Sequence, residues 1–111
     1  MDTATMISTA TKVPLLEYFG FEVFLLKTDS SPLSVYALHG DSIAKAKLVF
    51  RDGIFKKAEI QDIPGSAALG VAEKEKFQLL LEEYLSELVK GWIDYYVFAK
   101  APKFEKIMRS L

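Results

Sequence analysis

The stretch FQLLLEEYLSELVKGWIDYY, Phe77 to Tyr96, decides the fold. Phe77, Leu80, Leu81, Tyr84, Leu85, Leu88, Trp92, Tyr95 and Tyr96 recur at three- and four-residue steps, while Glu82, Glu83, Ser86, Glu87, Lys90 and Asp94 take the opposite side. That period draws one apolar stripe along an α-helix, and such a stripe must lie on another layer of structure. Gly70 is a tolerable N-cap for it, and Glu73 stands at the third helical position, near the positive end of the helix dipole. Gly91 inside the stripe costs about 1 kcal/mol relative to alanine. It therefore predicts a kink or a close backbone approach beneath Trp92, and Pro102 ends whatever helix remains.

The layer beneath is supplied upstream. Leu15 to Lys27 reads as one long strand with a bulge at Gly20, where a residue without a Cβ takes a strained geometry. Thr28-Asp29-Ser30-Ser31-Pro32 is turn chemistry, followed by a short strand from Leu33 to His39 and a turn at Gly40-Asp41-Ser42. Ala44, Ala46, Leu48 and Phe50 alternate with Lys45, Lys47 and Val49, the period of a half-buried strand. Asp52-Gly53 predicts a type I′ hairpin, with Ile54 to Ile60 returning as a fourth strand before Ile63-Pro64-Gly65-Ser66 breaks the sheet. The expected class is α+β: an antiparallel three- to four-stranded meander covered on one face by a long C-terminal helix, plus a short basic terminal helix or tail.

With 111 residues, half of them apolar, the chain fits one domain with a modest core, a size often helped by a partner. The expected division is a flexible leader over 1–13, a single domain over 14–100 and a basic amphipathic tail over 101–111. No cysteine is present, which removes disulfides and thiolate metal sites and fits a reducing compartment, with the cytoplasm as the default. A formal net charge of −1 provides no field to steer a polyanion or to hold an acidic membrane surface. The first eleven residues lack the basic and apolar regions of a signal peptide, and no apolar run approaches the length of a membrane span.

Glu17-Tyr18-Phe19-Gly20, Ala44-Lys45-Ala46, Asp52-Gly53-Ile54 and Trp92-Ile93-Asp94-Tyr95-Tyr96 resemble, in that order, landmarks of the small bacterial proteins grouped as domain of unknown function 4160. The resemblance covers Pro14 to the C-terminus. It implies a fold and no established activity, with a hint of gene arrangements similar to toxin–antitoxin pairs. After the turn proline that family usually carries a Pro-His-x-His motif. Here the corresponding residues are Pro32-Leu33-Ser34-Val35, so both imidazoles are missing, and with them any chemistry that rests on the pair.

Four features compete as functional candidates. His39 and Asp94 form a weak candidate polar site; the plainer readings are a turn histidine and a structural or solvated carboxylate. Glu82, Glu83 and Glu87 cluster within about one and a half turns, which serves a solvated helix face more readily than a cation. Aromatics crowd the helix end, and a single helix cannot cover all of them, so Tyr95, Val97 and Phe98 are candidates for partner contact. Phe104, Ile107, Met108 and Leu111 follow at i, i+3, i+4 and i+7 among Lys100, Lys103, Lys106 and Arg109, a basic amphipathic pattern able to enter a partner's groove. Lys103, Phe104, Ile107, Met108 and Arg109 join the partner-binding set on that ground. No phosphate loop, nucleophile elbow or triad is present, and no catalytic residue, cofactor or metal is assigned. The expected function is a non-catalytic protein-binding or oligomerising module, a homodimer or one that takes a small protein partner. The alternatives are a nuclease- or hydrolase-type enzyme using Asp94, His39 and the helix carboxylates, or weak salt-sensitive nucleic-acid contact through the tail.

Overall fold

The computed structural model describes residues 11–110. They form five strands, two helices and a sixth strand: β1 Lys12–Tyr18, β2 Phe21–Leu26, β3 Ser34–His39, β4 Ser42–Arg51, β5 Ile54–Asp62, α1 Val71–Glu83, α2 Leu85–Tyr96 and β6 Glu105–Ile107. One sheet runs in the order β5-β4-β3-β2-β1-β6, antiparallel throughout except that β6 lies parallel to β1. The α+β class and the antiparallel meander agree with the sequence. The strand number does not, because the sheet has six strands rather than three or four.

The first additional strand comes from a turn that reads as continuous strand. Phe19 and Gly20 both have positive φ, 35° and 91°, and Tyr18 pairs directly with Phe21 across them. The chain therefore reverses at Gly20 instead of bulging there. A bulge does occur five residues earlier, between Pro14 and Leu16, and it turns both Leu15 and Leu16 into the core. Asp52 and Gly53, at φ 53° and 78°, close the expected two-residue hairpin between β4 and β5. Strand β1 begins at Lys12, within the stretch expected as a leader, and Val13 is already buried; residues 1–10 of that leader lie outside the described residues.

The second additional strand is the tail. Leu16, Glu17 and Tyr18 pair with Glu105, Lys106 and Ile107, so the expected terminal helix is replaced by a short edge strand. A helix over these residues would leave the edge of β1 unpaired, whereas the strand satisfies its backbone groups and buries Ile107. Leu111, the last residue of the expected helical stripe, lies outside the described residues.

One sheet face carries Val13, Val23, Leu25, Val35, Ala37, Ala44, Ala46 and Leu48 against Phe77, Leu80, Leu81 and Leu88 of the helices. The alanines at the centre of β4 let α1 and α2 sit close. Glu73 accepts the Gly70 amide hydrogen at 3.0 Å at the start of α1, so the expected cap is present. Lys74 pairs with Asp62 at 3.0 Å, tying α1 to β5. The expected single helix is bent at Tyr84, whose φ of −112° and ψ of 26° leave the helical region. The bend sets α1 beside β5 and swings α2 across β1. Gly91 provides the predicted close approach: a Cβ there would lie 2.7 Å from Leu15 Cδ2 and 3.5 Å from Pro102 Cβ. The opposite face holds a smaller core of Phe24, Tyr36 and Ile43, with Leu26, Leu38 and Ile63 around it. The sheet thus buries apolar side chains on both faces rather than one.

Candidate protein-binding surface

Helix α2 shows the sheet only part of its apolar arc. Leu88 and Gly91 are buried, and Trp92 and Tyr96 close the helix on the sheet. Leu85, Val89 and Ile93, four residues apart, stay half-exposed on the flank toward the β4–β5 hairpin. With Phe50 from the end of β4 and Phe98 just past the helix, they line an open concavity of about 520 Å³ edged by Ser86, Lys90 and Asp94. Phe98 is 61% exposed and Val97 60%. Phe50 meets Phe55 edge-on at 5.6 Å, so the hairpin end presents a fixed aromatic wall. Exposed apolar side chains grouped beside a polar rim make this flank a candidate contact site.

The other flank of α2 faces β1 and the tail across a narrower groove of about 250 Å³. Leu15, Leu16, Leu88 and Gly91 form its floor, and Glu87, Lys90, Asp94, Lys103 and Glu105 its charged edges. Lys90 bridges to Asp94 at 2.9 Å on the ridge between the two grooves.

The residues expected to bind a partner divide among three places. Val97 and Phe98 lie on the exposed helix end, next to a half-buried Tyr95 that packs edge-on against Tyr96 at 4.9 Å. Lys103 lines the narrow groove, and Phe104, 48% exposed, lines a separate hollow with Lys12, Pro14 and Phe24. Ile107 is a core residue and is unavailable to a partner while β6 stays on the sheet. Met108 is exposed, and Arg109 sits over the Tyr84 ring at 5.9 Å and 3.6 Å from Glu83. A basic face on one terminal helix is therefore not what these residues make. Phe50, Leu85, Val89 and Ile93 were not singled out as surface residues by the pattern. Their signal was the width of the apolar arc on α2, broader than a single contact with the sheet consumes.

The polar candidates are kept apart. His39 ends β3, pairs with Phe21 and rests on its ring at 4.5 Å. Tyr96, two residues beyond Asp94, reaches Leu26 at the far end of β2, five residues or about 17 Å of strand away. Asp94 is held by Lys90, Glu82 accepts from Gln78 at 2.6 Å, and Glu83 faces Arg109. Among the described residues no three His, Asp or Glu side chains converge as a metal site requires. Val35 is fully buried in the core, and Leu33 packs against that core with φ 50°.

One polar cluster has no counterpart in the sequence reading. Asp29, in the β2–β3 turn, accepts from the Ser31 amide at 3.0 Å, the Ser31 hydroxyl, the Tyr36 hydroxyl and Lys45 Nζ at 2.8 Å. The Tyr96 hydroxyl shares its single proton between the Asp29 carbonyl, at 2.7 Å, and that of Leu26. Burial works to raise the Asp29 carboxyl, but the donors, Lys45 foremost, outweigh it and hold the group well below the usual carboxylate range. Burial, then the Asp29 hydrogen bond and charge, push Tyr36 far up, and burial with the Asp29 charge pushes Tyr96 up to about 12. The cluster pins the end of α2 to the β2–β3 turn. Its local part, Asp29 capping the amide two residues on, is legible as an Asx turn; Lys45 and Tyr96 are not.

No family model, curated protein or solved structure matches the chain. Among the described residues no helix is long and apolar enough to cross a membrane.

Proposed function

We propose that this domain is a non-catalytic binding module whose apolar surface along α2 receives a second copy of the same chain. The observation that carries the reading is the open concavity of Phe50, Leu85, Val89, Ile93 and Phe98, with Phe98 standing 61% exposed at its edge. A two-fold contact requires a patch complementary to itself. This one supplies an exposed ring and a hollow beside it, with an edge where Lys90 and Asp94 already neutralise one another, so that the edge carries no net charge into the contact. A net charge of −1 opposes such pairing very little. A standard interface covers about 800 Å² per partner, roughly an eighth of the 6550 Å² surface, so the contact must extend beyond the concavity along the helix flank and the hairpin end. The free edge of β5 is a poorer route, because a register break opposite Val49 and the lysines Lys56 and Lys57 interrupt it.

The test is native mass by light scattering from micromolar to submillimolar concentration, for the wild type and for Phe98→Ser. The wild type is expected to form dimers with rising concentration and Phe98→Ser to remain monomeric with an unchanged far-UV spectrum. A wild type that is monomeric throughout, or a variant that dimerises equally well, would refute the proposal.

A further inference from the structure

We infer that the C-terminal strand is exchangeable, so that in the dimer β6 of each copy completes the sheet of the other. The inference rests on the self-association proposed above and specifies how it happens. Three observations carry it.

The tail is fastened chiefly at its far end, beyond the approach of Pro102 to Gly91 and the place of Phe104 in the hollow with Lys12, Pro14 and Phe24. Three residues pair with β1, Ile107 is the one buried side chain among them, and Arg109 adds contacts to Glu83 and Tyr84. All of these partners lie on β1 and at the α1–α2 bend, so a tail arriving from another chain finds the same pairing and the same pocket. Exchange therefore keeps the contacts of β6, which is the condition for a swapped strand, and gives up only those of the connection.

The connection between α2 and β6 is largely exposed and held to α2 through Pro102 beside Gly91. Residues 97–104 form neither helix nor strand, and the groove of about 250 Å³ runs between α2 and the tail, with Leu15 and Gly91 beneath and Lys103 and Glu105 at its border. Val97, Phe98 and Phe104 all stand largely exposed along this connection. Opening it in two copies at once brings the Val97–Phe98 pairs of both chains to the same crossing, where they cover one another.

The connection is also strained in the closed form. Ala99 sits at φ 52°, a left-handed conformation that a Cβ disfavours and that glycine normally fills where a helix ends. The Lys100 amide donates to the Asp94 carbonyl at 2.8 Å and holds the chain in that turn. Extending the hinge releases Ala99, and strained short hinges favour exchange. The intact chain offers its own tail at an effective concentration of about millimolar, so exchange at submillimolar protein requires the released hinge strain and the Val97–Phe98 contact to offset that advantage.

Glu17 and Lys106 are register partners across β1 and β6, and the chain has no cysteine. A Glu17→Cys, Lys106→Cys double variant therefore places a single possible disulfide across that pair, at a strand separation within disulfide range. The full-length protein is concentrated, its native mass is measured, and it is then oxidised and run on a non-reducing gel. A second arm mixes the two single variants, one carrying a mass tag, and tests for the tagged-to-untagged disulfide. The expected result is a covalent dimer from the double variant and the mixed disulfide from the singles, both rising with concentration. Ala99→Gly is expected to lower the dimer fraction by about five-fold or more, since glycine removes the left-handed penalty. A dimeric native mass with only intrachain disulfide, and no response to Ala99→Gly, would overturn the exchange while leaving the α2 surface as the interface. A monomeric mass at every concentration would overturn both.

Discussion

Replacing Asp29 by alanine tests the polar cluster that joins the β2–β3 turn to the end of α2. The carboxylate takes four hydrogen bonds, and Asp29 and Lys45 keep 23% and 25% of their side-chain surface exposed. At that exposure the Lys45 pair is worth nearer about 1 kcal/mol than a fully buried ion pair would be. The Tyr36 hydroxyl, on a residue 7% exposed, loses its acceptor in a desolvated site, a cost of about 1 to 2 kcal/mol. The Ser31 bonds that close the turn add roughly 0.5 to 1 kcal/mol. Asp29→Ala should therefore destabilise by about 3 kcal/mol, a large share of the roughly 5 to 15 kcal/mol typical of a domain. Replacing all the polar partners with well-packed apolar groups could be neutral, but removing the shared acceptor alone leaves its donors stranded. Urea denaturation followed by fluorescence of Trp92, the only tryptophan, reads this as a midpoint lower by about 1.5 M for a slope near 2 kcal/mol/M. The Asp29→Ala, Tyr36→Phe double variant should cost about 1 kcal/mol less than the sum of the singles, because both remove the same bond. A loss below about 0.5 kcal/mol for Asp29→Ala, or strict additivity in the cycle, would show that the cluster does not hold the turn.

Other outcomes follow from the same geometry. The depressed Asp29 carboxyl contributes stability that is complete above the unfolded value of about 3.9 and is lost as pH falls below it, so the wild type should weaken below pH 4 more steeply than Asp29→Asn in acid-titrated denaturation. Tyr96 works in the opposite direction: its hydroxyl is pushed up to about 12, so its contribution is complete below the unfolded value of about 10 and disappears between the two, and Tyr96→Phe should flatten alkaline unfolding over that range. The same variant should cost about 1 to 2 kcal/mol at neutral pH, as the Leu26 and Asp29 carbonyls lose their donor. Ile107→Ser should cost about 2 kcal/mol by removing the one buried side chain of β6, and should make the tail the first protease-sensitive segment; a tail that stays protected would contradict the view that Ile107 is its anchor.

What the chain determines by itself is what short-range geometry can carry. The stripe from Phe77 to Tyr96 can only be helical, the alternation through Ala44 and Leu48 can only be a half-buried strand, and Asp52-Gly53 has the backbone freedom a two-residue hairpin requires. The close approach at Gly91 was legible for the same reason, since a residue without a Cβ in an apolar stripe marks where something must come near. Phe19-Gly20 escaped because a phenylalanine at positive φ is unfavourable in isolation and is held there by the pairing of β1 with β2. The helical spacing of Phe104, Ile107 and Met108 is real, yet the open edge of β1, which pairs Leu16 with Glu105, made a strand the better solution. Asp29 reads as a turn residue until folding brings Lys45 from 16 residues away and Tyr96 from 67. The tertiary structure alone decided which part of the α2 arc the sheet consumed and which remained exposed. Burial is shared between elements distant in sequence, and a local pattern records only that a side chain is apolar, not whether its own fold has room for it.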